Sequence, residues 1–248
     1  MTLTANEDIT STRGRAARRR LAGLAIAGLA SLGVLANPAG SVDAARRTKS
    51  EALADQADTA LDALDRWNES QNPFDYIRFV QARDDTATTA EAEMELLPGA
   101  LQQAWSGVAI SNQQALLSAV SQLGVPYRSI ASEPGVGFDC SGLTIWAYAQ
   151  AGVDVPRVSG DQIRAAAAVG RETAEAGDLV YYPGHISMYI GADLMVHSPN
   201  TGSHVEIVHL PTTKTLRFGD TTPADVTAEV TAVTEPEVES PELGDAAR

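Results

Sequence analysis

The sequence predicts an α+β domain preceded by a helical segment. Two features of period and one of charge point to it. Apolar residues recur at helical spacing over 53–67 and 115–123, whereas from Leu179 onward polar and apolar residues alternate as they do in half-buried strands. The charge balance changes in four steps along the 248 residues: eight basic and three acidic over 1–50, three and twelve over 51–107, six and nine over 108–218, one and eight over 219–248. A formal net charge of -14 repels phosphate backbones and argues against nucleic acid as a partner. The single cysteine excludes an intramolecular disulfide.

Residues 1–44 read as a signal peptide or membrane anchor. Arg13, Arg15, Arg18, Arg19 and Arg20 form a basic start, and an uncharged stretch, 21–42, follows. Its apolar part, 21–35, is about 15 residues, short of the roughly 20 that span a bilayer. Small residues near Ala39 and Ala44 offer an exit site for a signal peptidase. An extracytoplasmic location follows, secreted or in the cell wall, with membrane anchoring through 21–42 as the other outcome.

Residues 45–107 form an acidic helical segment. Leu53, Ala57, Ala60 or Leu61, Leu64 and Trp67 make one apolar stripe, and Asn72-Pro73 ends that helix. Phe74, Ile77 and Val80 begin another stripe, 84–89 reads as a polar loop, and 90–97 as a further helix stopped by Pro98-Gly99. The expected arrangement is a helical hairpin packed on the following domain. A pro-segment or wall-crossing spacer is the alternative. Residues 219–248 lack aromatic side chains and are rich in acid and proline, the composition of a disordered tail.

Residues 108–218 carry the chemistry. Ser111 to Gln114 suggests a capping box for a helix that ends at Gly124. After a loop with Pro134, Gly135 and Gly137, Asp139 is placed to cap a buried helix whose first turn holds Cys140 and Ser141. A helix N-terminus favours a thiolate there. Downstream, 179–182, 185–190, 194–198 and 205–210 read as an antiparallel meander, which brings His185 and His197 onto neighbouring strands. Cysteine, imidazole and second imidazole then have roles as nucleophile, base and orienting group. His204 and His209 lack such a context, and the four histidines show no metal-binding spacing. The chemistry calls for no cofactor and no metal.

Gly124-Val-Pro-Tyr127, Gly137-Phe-Asp-Cys-Ser-Gly-Leu143, Pro156-Arg-Val-Ser159-Gly-Asp-Gln162, Gly177-Asp-Leu-Val180, His185-Ile-Ser-Met-Tyr-Ile-Gly191 and His197-Ser-Pro-Asn-Thr-Gly202 resemble, in this order, the NlpC/p60 cell-wall cysteine peptidases. The resemblance implies a papain-like α+β fold. It implies hydrolysis of peptidoglycan stem peptides, usually between D-γ-glutamate and a diamino acid. It places the catalytic residues at Cys140, His185 and His197 and the active-site tyrosine at Tyr127, beside the Cys140 backbone N–H as oxyanion donor. Asp139, Ser141, Ser159 and Asp161 fall where substrate is bound, Ser159 to Asp161 having a helix cap as the competing role. Many relatives continue after Pro-Tyr with an aromatic residue and two glycines; here Arg128-Ser-Ile-Ala131 follows, so the cleft border differs. A cysteine amidase or acyltransferase on the same fold, or a non-catalytic wall-binding module, are the competing functions. The sequence gives no basis for an oligomeric state.

Overall fold

Two long helices lead the chain into a layer of helices packed on an antiparallel sheet. The computed structural model describes residues 38–221, so the apolar export run 21–35 and the expected tail from 222 onward lie outside the described residues, whereas Gly219 and Asp220, expected in the disordered tail, belong to the last strand because they pair with Ala168 and Ala167. Helix α1 (Pro38–Ser70) includes the small residues near Ala39 and Ala44. It breaks where Asn72-Pro73 predicts, and Asn72 caps α2 (Pro73–Glu93) by accepting from the Phe74 N–H at 3.0 Å. Leu53, Ala57, Leu61 and Leu64 of α1 share a core with Phe79, Ala87 and Ala90 of α2. Among the described residues no helix is long and apolar enough to cross a membrane.

The expected loop at 84–89 is helical. Thr86, Thr88 and Thr89 each donate to the carbonyl four residues back, while Thr86, Ala87 and Ala90 are buried. Threonine and aspartate are poor helix formers, but burial of this face overrides that local preference. Helix α3 (Ala100–Ser106) follows a turn and is started by Glu91, whose buried carboxylate accepts from the N–H groups of Gly99, Leu101 and Gln102. The Trp105 indole donates to Ile190 O at 2.7 Å and ties α3 to the sheet.

Helix α4 (Ile110–Val120) begins one residue before the expected capping box, and its N-cap, Ala109, has no side-chain bond. Gln113 instead links outward, donating to Val108 O and accepting from Arg83. The expected loop after Tyr127 holds a small hairpin, β1 (Ser132–Glu133) with β2 (Gly137–Phe138), immediately before α5 (Cys140–Gln150). Helix α6 (Ser159–Ala165) leads into β3 (Ala167–Val169). The meander β4 (Leu179–Tyr182), β5 (His185–Gly191), β6 (Leu194–His197) and β7 (Glu206–His209) then forms, and β8 (Arg217–Asp220) returns.

All strands of the main sheet pair antiparallel in the order β3-β8-β4-β5-β6-β7, with β3 and β8 added on the far side of the expected meander. Ile186, Met188 and Ile190 of β5 join the main core with Leu143 and Ala147 of α5. On the other face Tyr189 joins a smaller cluster with Val180, Met195 and Phe218. One continuous core therefore runs from the helical pair through α4 and α5 to the sheet, which is the α+β class the residue pattern predicts.

Candidate active site

Cys140 is the first residue of α5. Asp139, extended at ψ 178°, accepts from the Gly142 N–H at 2.6 Å and so caps the helix. No preceding helical carbonyl faces the first N–H groups of a helix, which leaves them to a negative charge. The cap is held from outside by Arg157, whose guanidinium donates to both Asp139 oxygens, at 3.1 and 2.7 Å, and to Ser141 Oγ at 2.8 Å. Gln162 of α6 donates to Ser141 O at 3.1 Å and accepts from Thr144 at 2.7 Å, so α6 clamps the same turn. Gly142 is required here: a Cβ would run into the Ala131 carbonyl oxygen, which also accepts from the Asp139 N–H at 3.0 Å.

Hairpin β5–β6 supplies the imidazoles. His185 Nε2 and His197 Nδ1 are 3.0 Å apart, with the rings edge-on. Tyr182, paired with His185 across β4–β5, packs its ring on the His185 imidazole at 5.0 Å. Burial raises its phenol pKa, and charge on Cys140 raises it further. Ser198, next to His197, donates to Phe138 O at 2.8 Å and fixes the end of β6 beside the strand that leads into Cys140.

Both rings are buried, and desolvation pushes His185 down to about 4. His197 is pushed down to about 3, first by desolvation and then by the neighbouring His185. At neutral pH the pair is uncharged. His185 Nε2 is engaged by His197, which leaves Nδ1 as the ring nitrogen to receive a proton.

The expected substrate-binding residues divide. Asp139 and Ser141 lie in the Cys140 turn, but both are engaged by Arg157. Ser159 opens α6 without a side-chain cap bond, and the N-cap is Val158. The competing cap role for Ser159 is therefore not met. Asp161 pairs with Arg164 at the surface. Tyr127 is half-buried; its N–H donates to Ser203 O at 2.9 Å, and it bridges to Phe138, two residues before Cys140. In the divergent loop, Ile130 takes φ +61° and is 85% exposed, a left-handed conformation that a β-branched side chain resists. His204 forms a backbone bridge opposite Pro126, and His209 is exposed on β7. Arg157, Gln162 and Ser198 are positioning groups for which the quoted motifs gave the residues but not the function.

A cysteine at a capped helix start and a buried histidine pair on an antiparallel sheet mark this as an α+β domain. Residues 124–217 match the NlpC/P60 family. The match spans 94 of the 248 residues, so the chain carries a domain similar to that family. It is 42% identical over 98 residues to a gamma-D-glutamyl-L-lysine dipeptidyl-peptidase of Bacillus cereus, covering 36% of this chain and 29% of that one. It is 36% identical over 104 residues to peptidoglycan endopeptidase RipA of Mycolicibacterium smegmatis, covering 36% and 21%. Thus the chain spans less than a third of the length of these relatives. A solved NlpC/P60 family protein from Bacillus cereus is 33% identical with TM-score 0.43, covering 45% of this chain and 40% of that one.

Proposed function

We propose that the protein is an extracytoplasmic peptidoglycan hydrolase that cuts stem-peptide amide bonds by cysteine chemistry, at D-γ-glutamyl-diamino acid bonds. The observation that carries the mechanism is the 3.0 Å contact between His185 and His197 beside the capped Cys140 helix. The substrate class is supported by the names of the relatives, a gamma-D-glutamyl-L-lysine dipeptidyl-peptidase and a peptidoglycan endopeptidase.

In this reading the Cys140 thiol gives its proton to His185 Nδ1 as its sulfur adds to the amide carbonyl. The depressed imidazole pKa values favour transfer during attack over a standing ion pair. The Cys140 backbone N–H, with the Tyr127 hydroxyl, stabilises the oxyanion. The C–N bond breaks as His185 returns its proton to the departing amine, leaving an acyl-thioester on Cys140. Water, deprotonated by His185, then hydrolyses the thioester and restores the thiol.

The test is mass spectrometry of muropeptides released from purified sacculi by the full chain and by Cys140→Ala. Release of D-γ-glutamyl-ended fragments by the wild type alone is expected. Equal release by both proteins overturns the mechanism, and cleavage at the muramoyl–alanine bond replaces the peptidase reading with the amidase one.

A further inference from the structure

The chain of side chains does not stop at His197. Across the β6–β7 pair, His197 stands directly opposite Glu206. The His197 ring is 7% exposed, and its Nε2 is buried without a hydrogen-bond partner among the described residues. Glu206 Oε1 lies 3.8 Å from that nitrogen, and the carboxylate side chain keeps 25% of its surface open. At this separation the carboxylate faces Nε2, and its negative charge favours an N–H on that nitrogen.

We propose that Glu206 is a positioning residue that fixes the tautomer of His197 and thereby makes His185 a base. The proposal rests on the reading of Cys140 as nucleophile given above. A neutral imidazole carries one N–H, and a carboxylate can only accept. With the His197 proton on Nε2, facing Glu206, its Nδ1 offers a lone pair. It then accepts from His185 Nε2–H, and His185 Nδ1 is left with the lone pair that the thiol proton needs. With the His197 proton on Nδ1 the 3.0 Å contact runs the other way. His185 Nε2 would accept, its own proton would sit on Nδ1, and the thiol would meet an N–H.

The surroundings favour the first arrangement. His185 faces the ring from β5, with Tyr182 of β4 stacked on His185. On the far side of Glu206 a cavity of about 340 Å³ is lined by Lys49, Glu93 and His204. Lys49 there opposes the charge of Glu93. Orientation of a histidine by an outer carboxylate is a general device for setting ring basicity.

The experiment compares the full wild-type chain with Glu206→Gln and Glu206→Ala. Nitrogen-15 spectra of labelled histidine, assigned with His204→Gln and His209→Gln, report the tautomers; kcat and KM on muropeptides report function. In the wild type, His197 and His185 should both carry their proton on Nε2. A glutamine can either donate or accept, so Glu206→Gln should mix the tautomers and lower kcat about tenfold with KM and Tm unchanged. Glu206→Ala should act in the same direction. Wild-type tautomers with wild-type kcat in Glu206→Gln overturn the proposal, and so does a loss confined to KM or to Tm. The tautomers are read without turnover, so a wild type inert on sacculi sinks the hydrolase reading and leaves this one still decided by the spectra.

Discussion

The helical pair α1–α2 and the histidine hairpin β5–β6 both bury titratable side chains, and they treat them in opposite ways. In the helical pair each buried charge is satisfied. Arg83 reaches Gln113 Oε1 at 2.8 Å and Asp84, and Glu91 accepts from three backbone N–H groups. The rest of that core is leucine, alanine and Phe79. In the hairpin two imidazoles are buried largely on each other, one ring nitrogen lacks a bonded partner, and both rings are held well below their ordinary pKa. One region spends its burial on stability. The other keeps titratable groups desolvated at a stability cost, which is where function is expected.

Exchange of the damage between the regions is the strongest test of that contrast. His185→Ala should lower kcat/KM on sacculi by about 10³- to 10⁴-fold, because it removes the proposed base. Phe79→Ala, at a fully buried position in the helical pair, should instead cost about 3–5 kcal/mol of stability by leaving a cavity. Its kcat per folded molecule should be unchanged. Thermal melts and turnover on the same preparations check both. A Phe79→Ala protein that is stable but inactive would dissolve the distinction.

Much of this contrast was legible in the residues. The stripe over 53–67, the break at Asn72-Pro73 and the alternation from Leu179 each obey a local rule, so the elements fall where the pattern puts them. The neighbouring placement of His185 and His197 also follows locally, since a tight hairpin at Gly191 to Asp193 joins their strands. What was hidden depends on distant partners. Residues 84–89 are helical because Thr86, Ala87 and Ala90 are buried against the core, which no local propensity reports. Strands β3 and β8 are short and pair with each other across about 50 residues of chain, without a period of their own. The Arg157 fork on Asp139 and the Ser198 tether to Phe138 join residues that only the fold brings together.

Acid should separate the regions next. Both imidazoles titrate lower in the folded chain than the ordinary 6.5, near 4 and 3. The unfolded chain therefore binds protons first, and their contribution is full above pH 6.5 and is lost as pH falls toward 4. Each desolvated ring gives up to about 1.4 kcal/mol per pH unit within that window. Buried Asp178 acts with the opposite sign. Desolvation raises it to about 6, so the folded chain holds its proton first and its contribution is lost as pH rises through 6. Two rings against one carboxyl leave a net fall in stability from pH 6.5 to 4. Asp178→Asn should steepen it. Denaturant midpoints across this range decide the matter, and a flat profile would mean that the rings are solvated.

The two helix caps give the smallest and most closely matched comparison. Asn72 and Asp139 perform the same local task, each accepting a backbone N–H in the first turn of its helix, at 3.0 and 2.6 Å. Replacing either by alanine should cost about 1 kcal/mol. Asn72 sits in an exposed turn, where its loss touches nothing but the start of α2. Asp139 adjoins Cys140 and anchors Arg157, so its loss frees a guanidinium beside the thiol and loosens the turn that aims it. Asn72→Ala should therefore shift Tm alone. Asp139→Ala should shift Tm by a similar amount and also lower kcat. Asp139→Asn, which keeps the cap oxygen but not the charge pair with Arg157, separates the two effects: it should retain Tm more closely than activity. Equal kcat in all three variants would show that capping the Cys140 helix serves stability only, as it does in the helical pair.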